Sequence, residues 1–132
     1  MRQSGRRVIF RATCDHWATP EALYQALEAE FGFIDDPCPL HGKGGLDRSW
    51  NSPCFVNPPY SEIDRWMEKA AIEAAQGKTV VVLVPSRTDT RWFHDYAMNA
   101  TEIRFIRGRL QFGKAKWKAP FPSALIIFKA AA

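Results

Sequence analysis

The segment from Thr79 to Val84 constrains the fold of this chain more than any other. It is continuously apolar and rich in β-branched residues, and Pro85 ends it. A strand without polar alternation is buried on both faces, which is typical of the central strands of parallel sheets. The sequence therefore predicts a central parallel strand at this position.

Helical patterns precede and follow this strand. Thr19-Pro20-Glu21 combines an N-cap hydroxyl, a proline at the first helical position and an early acid, and Gly32 is the predicted stop. A second apolar stripe at helical spacing runs from Ile63 to Ala74. Further strands are predicted at 8–10, 33–34, 54–56, 103–106, 110–112 and 124–128. Because strands alternate with helices, we expect an α/β fold with a mostly parallel sheet.

Asn57-Pro58-Pro59-Tyr60 directly follows the apolar run at 54–56. Two consecutive prolines fix the backbone, so the Asn57 side chain and the Pro58 carbonyl can both accept hydrogen bonds from one planar amino group. Tyr60 offers a flat face to the ring that carries this amine. The amine's lone pair is delocalised into the ring, and two acceptors on its hydrogens favour its attack on an electrophilic methyl group. The motif predicts amino-methyl transfer from S-adenosylmethionine; the alternative is a turn with a capping asparagine.

Polar residues follow three of the predicted strands, at Asp35-Asp36, at Asn57 and at Ser86-Arg87. Ligands of open α/β sheets bind beyond the carboxyl ends of the strands. We therefore expect these three clusters to lie at one edge of the sheet. Arg87 and Asp89 could contact the target, the cofactor or each other, and a helix-capping ion pair is the simplest alternative.

The charge of the chain is unevenly distributed. The 132 residues predict one domain, 1–132, in which residues 1–14 form a flexible basic arm. The segments 1–14 and 103–132 carry four and seven of the 18 basic residues and no acid, whereas all 14 acids lie between them. Clustered bases suit a polyanion, although basic ends can also serve solubility alone. The candidate nucleic-acid contacts are Arg87, Asp89, Arg107, Arg109, Lys114, Lys116 and Lys118.

The three cysteines, Cys14, Cys38 and Cys54, do not form a disulfide framework. Cys14-Asp15-His16 together with Cys38-Pro39-Leu40-His41 could hold zinc by residue type, but the tight spacing favours reduced thiols, so no metal is expected. The chain has no apolar run of membrane-spanning length and no secretory signal. We expect a cytoplasmic protein.

Six ordered blocks, covering about residues 15 to 128, resemble the phage-type DNA N-6-adenine methyltransferases. The blocks are Asp15 to Pro20 with Trp17 and Thr19; Phe31-Gly32-Phe33 with Asp36-Pro37-Cys38; Trp50 with Phe55 to Ser61; Pro85 to Trp92; Arg107 to Phe112; and Ala119 to Ser123. The resemblance implies a compact Rossmann-like methyltransferase fold and methyl transfer from S-adenosylmethionine to the 6-amino group of adenine in DNA. It places the protein in a bacterial cell or a phage-infected host.

The resemblance also implies roles for individual residues. Catalysis would fall to Asn57, Pro58, Pro59 and Tyr60, and cofactor binding to Trp17, Thr19, Pro20, Asp36, Pro37 and Cys38, with Asn57. The glycine loop that many methyltransferases carry after their first strand is absent, and Gly42-Lys43-Gly44-Gly45 is interpreted as an ordinary loop. The contact to the cofactor ribose stays open, with Asp47 as a candidate. The alternatives are a catalytically degenerate nucleic-acid-binding module and an amino-methyltransferase acting on RNA or protein glutamine.

Overall fold

The computed structural model describes residues 17–39, 44–112 and 118–130. The proposed basic arm, residues 1–14, and the predicted strand at 8–10 lie outside these ranges. The described chain contains three α-helices, α1 (Glu21–Phe31), α2 (Ile63–Ala75) and α3 (Arg91–Asp95), and four strands, β1 (Cys54–Val56), β2 (Val80–Pro85), β3 (Glu102–Phe105) and β4 (Ser123–Phe128). Short 3-10 turns lie at Gly45–Asp47, Tyr60–Glu62 and Ala97–Asn99. The expectation of an α/β chain is confirmed.

The four strands form one sheet in the order β1-β2-β4-β3. β1 pairs with β2 in parallel, whereas β4 pairs antiparallel with both β2 and β3. The expectation of mostly parallel pairing is therefore wrong for two of the three strand pairs. The reason is the link between β3 and β4: its described residues form no helix, so the chain turns back and enters the sheet beside β3. The other three strands share one direction.

The central strand β2 is buried along its whole length, from Val80 to Pro85, as the sequence predicts. Its even-numbered residues pack into a core with Met67 of α2 and Phe93 of α3. Val81 and Leu83 pack on the opposite face into a core with Leu27 of α1. Both faces of the sheet are thus covered, and the carboxyl ends of β1 and β2 lie at the same edge.

A buried carboxylate connects α2 to the segment that leads into β1. The Glu73 side chain, 2% exposed, pairs with Lys69 at 2.9 Å and with Lys78, and it accepts a hydrogen bond from the Trp50 backbone N–H at 2.8 Å. Burial opposes ionisation of Glu73, but the hydrogen bonds from Lys78, Trp50 and Lys69 outweigh it and lower its pKa to about 2. The ion pair therefore holds the segment that leads into β1, the strand that Asn57 follows.

The described helices are all too short or too polar to cross a membrane. The predicted strand at 110–112 is irregular backbone, although the Leu110 carbonyl accepts a hydrogen bond from Ala119 at 2.7 Å. This contact brings 110–112 against the segment that enters β4.

Candidate active site

Asn57 follows the last residue of β1 and is only 4% exposed. Its side-chain Nδ2 donates to the backbone carbonyl of Trp17 and to the Thr19 hydroxyl oxygen, the latter at 2.9 Å. An amide nitrogen carries two hydrogens, so these two acceptors account for both of them. The amide orientation is thereby fixed, and Oδ1 is the group through which Asn57 can accept a hydrogen bond.

The segment that orients Asn57 leads into α1. The Pro20 carbonyl accepts the first helical hydrogen bond from Tyr24 at 3.0 Å, so Pro20 is the N-cap residue of α1 and Thr19 lies one residue further out. The expectation that the Thr19 hydroxyl caps this helix is wrong, because that hydroxyl accepts from Asn57 instead. The Trp17 ring packs against Phe112, with ring centroids 5.6 Å apart. The structure thus brings Trp17 and Thr19 to Asn57, about forty residues along the chain.

Tyr60 is the first residue of the 3-10 turn before α2 and directly follows Pro59. The Pro59 backbone is extended, with φ −67° and ψ 140°, which separates Tyr60 from the strand. The half-buried Tyr60 ring meets Phe121 edge-on, at 5.1 Å between centroids and 79° between planes. Phe121 has no role in the sequence-based assignment. Its place between two prolines in the Ala119–Ser123 block was the available signal.

The expected cofactor-binding segment, Asp36–Cys38, directly follows a residue that pairs with β1. Asp35 forms a parallel bridge to Cys54, and its carboxylate makes two 2.8 Å hydrogen bonds with Arg48. These hydrogen bonds are the main reason that the pKa of Asp35 is lowered. Asp35 is therefore held by a structural ion pair. Asp36, the next residue, is exposed, and Pro37 follows it as a buried residue.

The part of the glycine-rich loop that the structure describes packs on this segment. A Cβ on Gly45 would lie 1.9 Å from the Pro37 carbonyl oxygen, so only glycine fits there. The Gly45 carbonyl also accepts a 2.7 Å hydrogen bond from the buried Trp50 indole. Gly42 and Lys43 lie outside the described residues. Gly45 therefore packs closely against the Asp36–Cys38 segment. Asp47, the candidate ribose contact, is exposed.

The buried cysteines are poor nucleophiles. Burial raises the pKa of both Cys38 and Cys54 to about 12. The remaining members of the considered zinc set lie outside the described residues: Cys14, Asp15, His16, Leu40 and His41.

The expected DNA-contacting residues that the structure describes are all exposed: Arg87, Asp89, Arg107, Arg109 and Lys118. Lys114 and Lys116 lie outside the described residues. Within those residues no ion pair joins Arg87 to Asp89; the Arg87 guanidinium lies 5.9 Å from the Phe121 ring centroid instead. Arg107 and Arg109 flank Gly108, whose φ of 76° permits a tight turn.

A cleft of about 480 Å³ lies between α2 and α3, and Tyr60 is one of its lining residues. Its lining includes three acids, Asp64, Glu68 and Asp95, against two arginines. Carboxylates repel phosphate, so this cleft is a poor site for a polyanion.

Comparison with known proteins identifies the family. A family model described as DNA N-6-adenine-methyltransferase (Dam) matches residues 8–128. The chain belongs to this family.

Two phage proteins named DNA N-6-adenine-methyltransferase are similar to this chain. The one from Escherichia phage T1 is 28% identical over 113 residues, which cover 75% of this chain and 48% of the relative. The one from Haemophilus phage HP1 (strain HP1c1) is 28% identical over 136 residues, covering 87% and 79%. The chain thus spans about half the length of the phage T1 relative. No solved structure matches.

Proposed function

We propose that the protein transfers a methyl group from S-adenosylmethionine to the 6-amino group of adenine in DNA. The observation that carries the proposal is the Asn57 amide, whose two hydrogens are engaged by Trp17 and Thr19. This arrangement leaves Asn57 to act as an acceptor, which is the role that binding an amine requires. Membership of the DNA N-6-adenine-methyltransferase family supports the same conclusion.

In the proposed reaction the chain positions the amine and supplies no covalent intermediate. Asn57 Oδ1 and the Pro58 carbonyl accept the two amine hydrogens, and Pro59 fixes the backbone between them and Tyr60. With both hydrogens held, the nitrogen lone pair is directed away from the protein acceptors, toward the methyl donor. Formation of the N–C bond would break the S–C bond of the sulfonium, the thioether would leave with that electron pair, and one of the two amine protons would then be released. Positioning of this kind lowers the barrier because reactants are held in attack geometry.

Tyr60 stacks on the adenine ring, which contributes about 1–3 kcal/mol in base–aromatic contacts of other proteins. An adenine inside a duplex cannot reach Asn57, because the side chain is 4% exposed. The target base is therefore extruded from the duplex or comes from a single strand.

The residues at the sheet edge fit the proposed cofactor. Asp36 is an exposed carboxylate directly after the segment that pairs with β1, and carboxylates accept hydrogen bonds from hydroxyl and ammonium groups. The half-buried Trp17 and Pro20 would add apolar surface, and the buried Pro37 and Cys38 would support the backbone that carries Asp36. S-adenosylmethionine, when bound, supplies an electrophilic methyl group on a sulfonium. We infer that S-adenosylmethionine would bind between the Thr19 segment and the Asp36 segment. The protein itself would be a reduced Rossmann-like methyltransferase that acts in the cytoplasm of a bacterial cell or of an infected host.

The decisive experiment compares Asn57→Ala with Asn51→Ala. Asn51 is an exposed asparagine that contacts Asp35 through its backbone, so its side chain is a matched control. Wild type and N51A are expected to transfer labelled methyl to adenine in DNA, and N57A to lose transfer by at least about 100-fold. Thermal unfolding and calorimetry with S-adenosylmethionine test whether N57A keeps its fold and its cofactor site.

Each outcome of this comparison has a distinct meaning. Near-normal transfer by N57A refutes the mechanism. A wild-type protein that binds DNA but neither binds S-adenosylmethionine nor transfers methyl is a nucleic-acid-binding module. Transfer to RNA or to protein glutamine, with none to DNA, assigns another substrate to the same amine chemistry.

A further inference from the structure

Phe121 lies between two residues of the candidate site that do not adjoin in sequence. Its ring meets Tyr60 edge-on, with the two ring centroids 5.1 Å apart, and the Arg87 guanidinium lies 5.9 Å from the centroid of the same ring. Edge-on aromatic pairs and cations over aromatic faces are both attractive geometries. A single ring thus contacts the residue that would stack on the base and an arginine that could bind phosphate.

Two contacts fix the position of Phe121: a backbone hydrogen bond at its neighbour Pro122 and the packing of its ring against Phe112. The neighbouring Pro122 carbonyl accepts a 2.9 Å hydrogen bond from the Ser86 N–H, which fixes the entry to β4 against the exit from β2. The Phe112 ring lies 6.3 Å away and packs in turn on Trp17. The rings of Tyr60, Phe121, Phe112 and Trp17 thus pack one against the next. Because the Trp17 carbonyl also orients Asn57, these contacts connect Tyr60 with Asn57, the two ends of the proposed catalytic motif.

We propose that Phe121 is a positioning residue that sets Tyr60 for the target base and Arg87 for a phosphate flanking that base. The inference rests on the proposed function. An extruded nucleotide brings its own phosphates to the mouth of the base site, and a guanidinium pairs with phosphate through two parallel hydrogen bonds. Without the ring, Arg87 and Tyr60 lose their shared support, so base stacking and phosphate binding weaken together.

The test uses Phe121→Leu, which keeps apolar volume but removes the aromatic ring. Its matched control is Phe105→Leu, the same change at a side chain that is 63% exposed. With an adenine-containing oligonucleotide as substrate, F121L is expected to lower kcat about 5- to 10-fold and to raise KM for DNA, whereas its affinity for S-adenosylmethionine is unchanged. F105L leaves these values as in wild type, and Phe121→Tyr, which keeps the ring, restores most of the loss.

A second measurement does not depend on methyl transfer. Arg87→Gln is expected to lower the salt slope of DNA binding, measured by fluorescence anisotropy, by about 0.7 to 0.9, as one lost phosphate contact does. In the F121L background the same change is expected to have less than half that effect, since Arg87 has already lost its support. Arg87 is exposed, so R87Q is expected to fold as wild type does.

Equal effects of R87Q in the two backgrounds overturn the proposal, as does an F121L protein that keeps wild-type kcat and KM. A wild-type protein that binds DNA without methylating it refutes the proposed function alone, and the salt-slope comparison then still decides whether Phe121 supports Arg87. If F121L unfolds below assay temperature, Phe121→Met takes its place, with the same outcomes required.

Discussion

Glu73→Gln is expected to destabilise the protein strongly without touching the candidate site. Glutamine keeps the oxygen that accepts from the Trp50 N–H but removes the negative charge that pairs with Lys69 and Lys78. Both lysines are mostly buried, with side chains 19% and 18% exposed, so their charges are left with poor hydration.

The size of the effect follows from the pKa of Glu73. Its pKa is lowered from 4.5 to about 2 by the hydrogen bonds that outweigh its burial. Each unit is about 1.36 kcal/mol, so the carboxylate contributes about 3 kcal/mol to the free energy of unfolding at neutral pH. Because the folded pKa is the lower one, this contribution is complete above the unfolded value of about 4.5 and is lost as the pH falls toward 2.

Urea unfolding followed by tryptophan fluorescence measures this contribution. At pH 7 the midpoint of Glu73→Gln is expected about 1–2 M below that of wild type, for a typical slope of about 2 kcal/mol/M. Near pH 3 the difference in free energy is expected to shrink to less than half. Glu62→Gln is the control, since Glu62 pairs with Arg65 at 3.2 Å on the surface and its loss is expected to cost less than about 0.5 kcal/mol.

Two results would refute the reasoning about Glu73. One is a loss of stability at pH 7 no greater than that of Glu62→Gln. The other is a difference from wild type that stays constant between pH 7 and pH 3, because it would come from packing instead of charge.

Two further predictions concern the candidate site. Thr19→Val is expected to lower kcat roughly 5- to 160-fold, because one buried N–H of the Asn57 amide loses its acceptor at a cost of about 1–3 kcal/mol. Thr19→Ser keeps the acceptor, and equal rates for the two variants would contradict this. Replacing both Arg107 and Arg109 by glutamine is expected to lower the salt slope of DNA binding by about 1.4 to 1.8. An unchanged slope would place that turn away from DNA.

The parts of the fold that the sequence predicts are those decided by local pattern. Val80–Pro85 is recognisable because burial on both faces excludes polar residues from a central strand. The end of α1 is recognisable because Gly32, at φ 65°, takes the left-handed conformation that favours glycine. The motif from Asn57 to Tyr60 is recognisable because two prolines after a strand leave few conformations.

The parts that the sequence does not predict depend on distant contacts. The direction of β4 is set by the link from β3, and an apolar run such as Ser123–Phe128 suits a buried strand of either direction. The position of Phe121 against Tyr60 follows from that topology, because β4 enters the sheet next to the end of β2. Spacing along the chain carries no information about either contact.

The contacts of Asn57 also weigh against the simplest alternative for its motif, a turn with a capping asparagine. A capping side chain accepts a hydrogen bond from a backbone N–H through its oxygen. The 3-10 turn that starts at Tyr60 has no side-chain cap, and the Asn57 nitrogen donates to Thr19 and to the Trp17 carbonyl. A turn would not require a segment forty residues away to fix the amide, whereas an acceptor for a substrate amine does require a defined orientation. The contact between Thr19 and Asn57 therefore favours a binding site over a simple turn, and the activity of Thr19→Val tests this interpretation.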